Sequence, residues 1–209
     1  MSRLDTLLEI IRERRSVKWL EPGPIPLDKI KTALEAAIWA PNAHNRQPWR
    51  FVVVVDESVR RKLLYRMAER WREDLRRDGL DEETIENVVG GGLKRSMRAS
   101  ILIIACITMR DMDKYPDERR QGYEHIMATQ SLAAALQNML LTLHALGLAA
   151  CWRCSPLFAQ EEVREVLGLP DDVEPQAMIE VGVGGVARNP SRKPLSEVAY
   201  LDRWGEPLR

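Results

Sequence analysis

Four residues near the start of the chain have the types and the spacing to seize an anion. Arg14, Arg15, Ser16 and Lys18 fall in one short stretch. It directly follows a run in which Leu4, Leu7, Leu8 and Ile11 obey the i, i+3, i+4, i+7 rule of an amphipathic helix. Three cations and a hydroxyl at a helix exit can converge on a phosphate, because a guanidinium offers a planar fork of donors and an ammonium a point charge. A second stretch, Ala40 to Phe51, reads A-P-N-A-H-N-R-Q-P-W-R-F. Its Asn42, Asn45 and Gln47 carry amides that donate and accept together, as the edge of a polar heterocycle requires. Each stretch alone also has a plainer reading: a basic turn facing water, and a loop of ordinary turn formers.

Other motifs invite chemistry and fail on context. Cys151-Trp152-Arg153-Cys154 has the C-x-x-C spacing, but no second pair or histidine cluster accompanies it, so no metal site is expected. A thiol redox site would need the pair to open a helix after a strand, and Pro156 supports that only in part. Gly182-Val183-Gly184-Gly185-Val186-Ala187 matches a dinucleotide fingerprint, yet Arg188-Asn189-Pro190-Ser191 follows where a helix should begin. These glycines read instead as sheet-edge or close-packing residues. Trp71 ends an apolar stripe of Leu64, Met67, Trp71 and Leu75. The stripe suits either a core side chain or a flat platform for a ring.

The elements that must position these residues can be outlined from pattern. After the opening helix, Glu21 to Pro26 is a proline-rich connector, and Leu27, Ile30, Leu34, Ala37 and Ile38 mark a second helix that Pro41 stops. Phe51 to Val55 and Ile101 to Ile107 are short β-branched runs expected to be buried strands. Glu57 to Arg77 reads as a helix broken by Asp78-Gly79, and Asp81 caps the next one, with Glu82 and Glu83 in its first turn. Gly90-Gly91-Gly92 is expected to interrupt that helix, as a hinge or a loop. Arg110 to Glu118 is a polar loop of the kind that lines an entrance. A long helix from Arg119 stops at Gly147. Its second half is apolar almost all round, so it must be central or shared between two subunits. Ala149 to Trp152 enters a third strand. Glu161 to Leu167 is a short helix closed by Gly168, and Ala177 to Val183 is a further strand. The proline-bearing tail from Arg188 has little local reason to fold alone. Helices and strands mix without a βαβ rhythm, which indicates an α+β fold.

Composition narrows the function. The chain has 209 residues, 45% of them hydrophobic, enough for one buried domain spanning 1–209. Lys and Arg number 31 and Asp and Glu 31, so no global field favours nucleic acid or an anionic membrane. A nucleic-acid module would rest on Arg12 to Lys18 alone. Three cysteines and no signal peptide point to a reducing, cytoplasmic setting without disulfides. Ser131 to Trp152 nearly has the length of a membrane span, but Gln137, Asn138 and His144 interrupt it, so it reads as a buried helix.

R-R-S-V-K followed by A-P-N-A-H-N-R-Q-P-W-R-F resembles the N-terminal signature of the FMN-dependent nitroreductase family, and the likeness runs through nearly all of the chain. G-L-A-A-C-W-R-C-S-P around Cys151 and S-R-K-P-L-S-E-V around Arg192 fall where that family keeps its other flavin contacts. Within the family, the closer likeness is to the reductase domain that completes the deazaflavin coenzyme, through A-E-R-W-R-E-D-L from Ala68 and the G-L-A-A-C-W turn.

The resemblance implies a central mixed sheet wrapped by helices, in an intertwined homodimer whose tails reach across and whose FMN lies between subunits. It implies phosphate contacts from Arg14, Ser16 and Arg192, and places Lys18 nearer the flavin ring. Arg15 would bond the ribityl chain or face solvent. Asn42, Asn45 and Gln47 would meet the ribityl and pyrimidine edge of FMN held mainly by the partner, although Asn42, Ala43 and His44 depart from the usual serines. Backbone donors near Cys154 and Ser155 would bond flavin N5. The implied activity passes hydride from a reduced donor, NAD(P)H, through N5 to a small aromatic or quinone-like acceptor, including a deazaflavin-coenzyme precursor, with Trp71 as its platform. No catalytic side chain is expected, because the flavin carries the chemistry. The alternative is a flavin- or deazaflavin-binding protein without turnover.

Overall fold

The computed structural model describes residues 2–208. Its centre is a four-stranded sheet of β2 (Trp49–Val54), β3 (Ile101–Thr108), β5 (Val173–Gly182) and β4 (Ala149–Arg153), in the order β2-β3-β5-β4. Neighbouring strands are antiparallel, and a parallel bridge between Ser16 and Ala150 at the β4 edge makes the sheet mixed. All eight residues of β3 are buried, as its unbroken apolar run demands of a strand covered on both faces.

The pleat sends alternate side chains of β3 into two cores. Ile103, Ala105 and Ile107 pack with Ile30 and Ala33 of α2 (Leu27–Ile38) and with Leu132, Leu136, Met139 and Leu143 of α5 (Glu118–Ala145). Leu102, Ile104 and Cys106 face Leu63, Leu64 and Met67 of α3 (Glu57–Arg77) and Val163 of α6 (Gln160–Leu167). The fold is therefore α+β with helices on both faces. α5 is the one helix among the described residues long and apolar enough to cross a membrane, and its apolar side lines the core. Its second half is apolar beyond that side: Ala133, Ala134 and Leu141 stay only half-buried, so one chain does not enclose the helix all round.

Three expectations need correction. β5 starts four positions earlier than Ala177, because Pro175 masks the strand signal. The register shift between Ala105 and Cys106 creates a bulge beside that proline, where a missing N–H is tolerated. The triple glycine does not interrupt α4 (Glu82–Ser96), which runs through it unbroken. At Gly92 a Cβ would lie 2.8 Å from the Trp71 ring, so this glycine is a seat for an indole rather than a hinge. Ahead of the Glu21–Pro26 connector, and taking in its first residue, runs an unexpected strand, β1 (Trp19–Glu21), paired with β6 (Gly184–Val186) in a second small sheet. Gly182, Gly184 and Gly185 are thus close-packing residues. α1 (Arg3–Glu13) forms as predicted but buries no residue, and Leu4, Leu7 and Ile11 remain exposed.

Aspartates start three of the helices. Asp56, Asp81 and Asp117 accept hydrogen bonds from the backbone N–H three positions on, satisfying one open donor at each helix start. The Ser58 hydroxyl and then the Val59 N–H hold the Asp56 carboxyl below its ordinary 3.8, and the Thr84 N–H and hydroxyl do the same for Asp81. A depressed folded-state value contributes stability that is full above the unfolded value and is lost as pH falls through the folded one. Asp56→Ala and Asp81→Ala should each lower the melting temperature by a few degrees at pH 7. The gap from the parent should close as pH falls below 3.8. A gap independent of pH in thermal melts would contradict the capping account.

Candidate functional site

The Arg14–Lys18 segment is fixed to the edge of the sheet. The Val17 N–H donates to the Ala150 carbonyl at 2.9 Å, and Leu20, fully buried, anchors the other end. β1 then pairs with β6, which turns the chain's far end back towards the same segment. Between them opens a cleft of about 760 Å³. Arg14, Arg15, Ser16 and Lys18 line one wall, Arg188, Pro190 and Arg192 another, and Arg95 and Arg153 the floor. Among the described residues no carboxylate lines it.

The guanidinium groups there differ in what they already hold. Arg15 gives its Nη1 donors to the Arg12 and Arg14 carbonyls and its Nε to Asn189 Oδ1, so it shapes the turn. Among the described residues Arg192 donates only to the neighbouring Ser191 carbonyl. Arg14 Nε and Arg153 Nη2 are buried without a partner among them. A buried, unbonded guanidinium N–H is costly, and it finds its acceptor in a bound anion or carbonyl.

Arg153 is oriented from below. Its Nε donates to Glu180 Oε2 at 3.1 Å, and the same carboxylate accepts from the Ser96 hydroxyl. Glu180 lies on β5 with no exposed surface. A carboxylate buried so deeply needs a cation beside it. Arg153 and Arg95 also border a second cavity of about 470 Å³, walled by Leu64, Met67, Trp71, Val89, Leu93 and Met178. The two spaces therefore meet at these arginines, one cationic and one apolar. Trp71 rests on Gly92 and is 39% exposed, so it is a cavity wall with one supported face.

The remaining residues singled out from sequence lie apart from the cleft or at its border. Ser155 faces the apolar cavity, and Cys154 beside it is exposed. Cys151 is buried and burial pushes its thiol up, as it pushes Cys106 up to about 12, so neither is disposed to form a thiolate. Asn42, Asn45 and Gln47 do not line the cleft of their own chain. Asn42 accepts from the Gln47 N–H at 2.9 Å and donates to the Ala40 carbonyl, so it holds the loop's shape. Asn45 and Gln47 point outward from a loop with positive φ at both, braced by the Ala43 N–H on Ser131 Oγ. The Arg110–Glu118 loop is tied to this segment, through Asp113 to Arg46 and Asp111 to Arg50. It does not border either space.

The sequence reading missed Arg95, Arg153, Arg188 and Glu180. A glutamate within the apolar run A-M-I-E-V-G was the available signal, since a charge in a buried strand demands a partner. It also missed that His44, Asp113 and Glu124 bring ligand-type atoms within 4.8 Å of one another, where Asp113 is already paired with Arg46.

Comparison with known proteins identifies the family and the fold. The model of the nitroreductase family matches residues 11–183. A candidate NADH dehydrogenase/NAD(P)H nitroreductase of Methanothermobacter thermautotrophicus is 28% identical over 208 residues, covering 98% of this chain and 90% of its own. A candidate nitroreductase of Desulfovibrio desulfuricans, solved in complex with FMN, superposes with a TM-score of 0.70 at 25% identity, covering 95% of this chain and 97% of the other. The nitroreductase NfnB of Mycobacterium smegmatis, in complex with NADPH, shares the fold with a TM-score of 0.75 at 19% identity, covering 97% and 100%.

The position of Trp71 sets the effect of removing it. A fully buried indole costs about 3–5 kcal/mol on truncation to alanine. With one face supported and the other open, Trp71→Ala should cost about 1–2 kcal/mol. Denaturant unfolding with a core-sized loss would show that the ring is packing rather than a cavity wall.

Proposed function

The chain belongs to the nitroreductase family, and on that premise we propose that the cationic cleft seats FMN by its phosphate, with the flavin ring directed towards the apolar cavity. The protein is an FMN-dependent oxidoreductase that draws hydride from a reduced nicotinamide donor. The observation that carries the assignment of the cleft is Arg14 Nε, a buried donor without a partner among the described residues, in a cleft whose described lining holds no carboxylate and that opens onto an aromatic-walled space. Such a donor fits a phosphate dianion.

Bound FMN supplies the chemistry, a two-electron relay at N5 between donor and acceptor. The residues supply position and field. Arg14, Ser16 and Arg192 bind the phosphate and Lys18 lies nearer the ring, while Arg15 braces the turn that presents them. Backbone donors at Cys154 and Ser155, at the border of the apolar cavity, would bond N5 of a bound flavin. Trp71 and Phe158 keep water from one side of the apolar cavity and offer flat surfaces to an acceptor. That acceptor is a small aromatic or quinone-like molecule, with the precursor of a deazaflavin coenzyme as the tricyclic case.

Residues 1–209 form one FMN-binding domain that works as an intertwined homodimer in the cytoplasm. The support is apolar surface that one chain leaves uncovered: Leu4, Leu7 and Ile11 on α1, Trp39 after α2, and Val198, Leu201 and Trp204 in the tail. Patches of that extent mark an interface. The outward amides of Asn45 and Gln47 then reach the flavin of the partner subunit.

Two measurements test this reading. Arg14→Ala and Arg192→Ala should each weaken FMN binding by roughly ten- to a hundredfold and leave riboflavin binding unchanged. An equal loss for riboflavin, which lacks the phosphate, would overturn the assignment. Sedimentation of the FMN-loaded protein should give a dimer, and a stable FMN-loaded monomer would refute the shared site.

A further inference from the structure

We propose that the acceptor side of this site is built for an aromatic acid: a flat apolar body in the cavity beside Trp71, and a carboxylate or phosphate held at its mouth by Arg95 and Arg153. The inference rests on the FMN reading and names the substrate class of that same site.

Arg95 is the first ground. It projects from α4 to where the two cavities meet, half-buried, and its guanidinium makes no hydrogen bond or ion pair among the described residues. Most arginines on the neighbouring helix are engaged: Arg70 with Asp74, Arg72 with Glu86 and Glu69, Arg76 with Glu82. These arginines of α3 meet acids, whereas Arg95 stands unpaired among the described residues at the entrance to an apolar chamber.

Arg153 is the second. Glu180 and Ser96 fix it from beneath through Nε, which leaves Nη2 buried and unbonded. Glu180 neutralises part of its charge but cannot serve that second nitrogen's hydrogen bond. Glu180 is thus a positioning residue. It sets the plane of the Arg153 fork without touching the ligand.

Charge is the third. A flavin phosphate brings close to two negative charges, and Arg14, Arg188 and Arg192 already line the cleft to meet it. The cations at the junction exceed what that phosphate requires. Two acids border the apolar cavity. Asp74 is paired with Arg70 and Arg77, and Asp78 lies exposed after the end of α3, so neither opposes an anion at the Arg95 end. The chamber's volume of about 470 Å³ suits one ring system rather than an extended dinucleotide.

The test uses the FMN-loaded protein and three probes with one reducible group. These are 4-nitrobenzoate, 4-nitrophenyl phosphate and methyl 4-nitrobenzoate, reduced at the expense of NADPH or NADH. The parent should favour at least one anion over the neutral ester by about tenfold in kcat/KM, and the better anion identifies the head group. Arg95→Gln should collapse that preference by raising KM for the anion. The double variant Arg153→Gln/Glu180→Gln, which leaves no buried charge uncompensated, should do the same. No preference in the parent, or a preference that survives Arg95→Gln, overturns the inference. So does an effect of Arg95→Gln that falls on KM for the nicotinamide or on FMN content, because the arginine would then belong to the donor or the cofactor. Anaerobic flavin reduction by the nicotinamide, recorded on the same preparation, reports on the underlying reading. If it fails, the FMN-oxidoreductase assignment falls and this inference with it; if it succeeds without an anion preference, only this inference falls.

Discussion

The cleft exists because β1 and β6 can approach closely enough to pair. A side chain at Gly185 would run into the Trp19 carbonyl and the Val17 side chain, and its φ of +147° is one that other residues rarely adopt. At Gly182 a Cβ would stand 2.8 Å from the Glu21 carbonyl oxygen. With these positions bare, the strand that leaves the central sheet lies flat on the one that follows Lys18. The chain's two ends, far apart in sequence, then share one wall of basic residues. Without that contact Arg192 has no reason to be near Arg14, since the tail makes few other attachments to the body.

Electrostatics follows from that geometry. A chain with as many acidic as basic residues gathers Arg and Lys around one space and keeps carboxylates off its lining. The exception in the interior, Glu180, serves the same end. Burying a carboxylate has an effective penalty of several kcal/mol even after relaxation, and a single well-placed guanidinium offsets it only with further hydrogen bonds. Arg153 and Ser96 provide them. In return Arg153 is held at the border of the cationic and apolar spaces, where a flexible arginine would otherwise point into water.

Much of this was legible in the sequence, for identifiable reasons. Ile101–Ile107 carried the unbroken apolar run of a doubly covered strand, and the stripe through Leu64 and Met67 carried the period of a helix with one apolar face. The grouping of Arg14, Arg15, Ser16 and Lys18 on one cleft was visible because they lie within one short stretch. Three things were hidden. β1 and β6 are too short to show a period, and their pairing depends on what glycine lacks. Pro175 disguised the start of β5, because a bulge that forgives a proline is a property of two strands together. Arg95, Arg153 and Glu180 come from three separate elements, and only the fold makes them neighbours. α1 taught the opposite lesson: its amphipathic pattern was read correctly, yet Leu4, Leu7 and Ile11 of its apolar stripe stay exposed.

The account stands on the claim that this cleft holds FMN as a working hydride relay, and anaerobic titration of the FMN-loaded protein with NADH and with NADPH tests it most directly. The account predicts that at least one nucleotide bleaches the visible flavin band in full, at about one equivalent per flavin, and that admitted acceptor restores it. Flavin that binds yet stays oxidised with both nucleotides would contradict it, and would identify a protein that carries the flavin without turning it over.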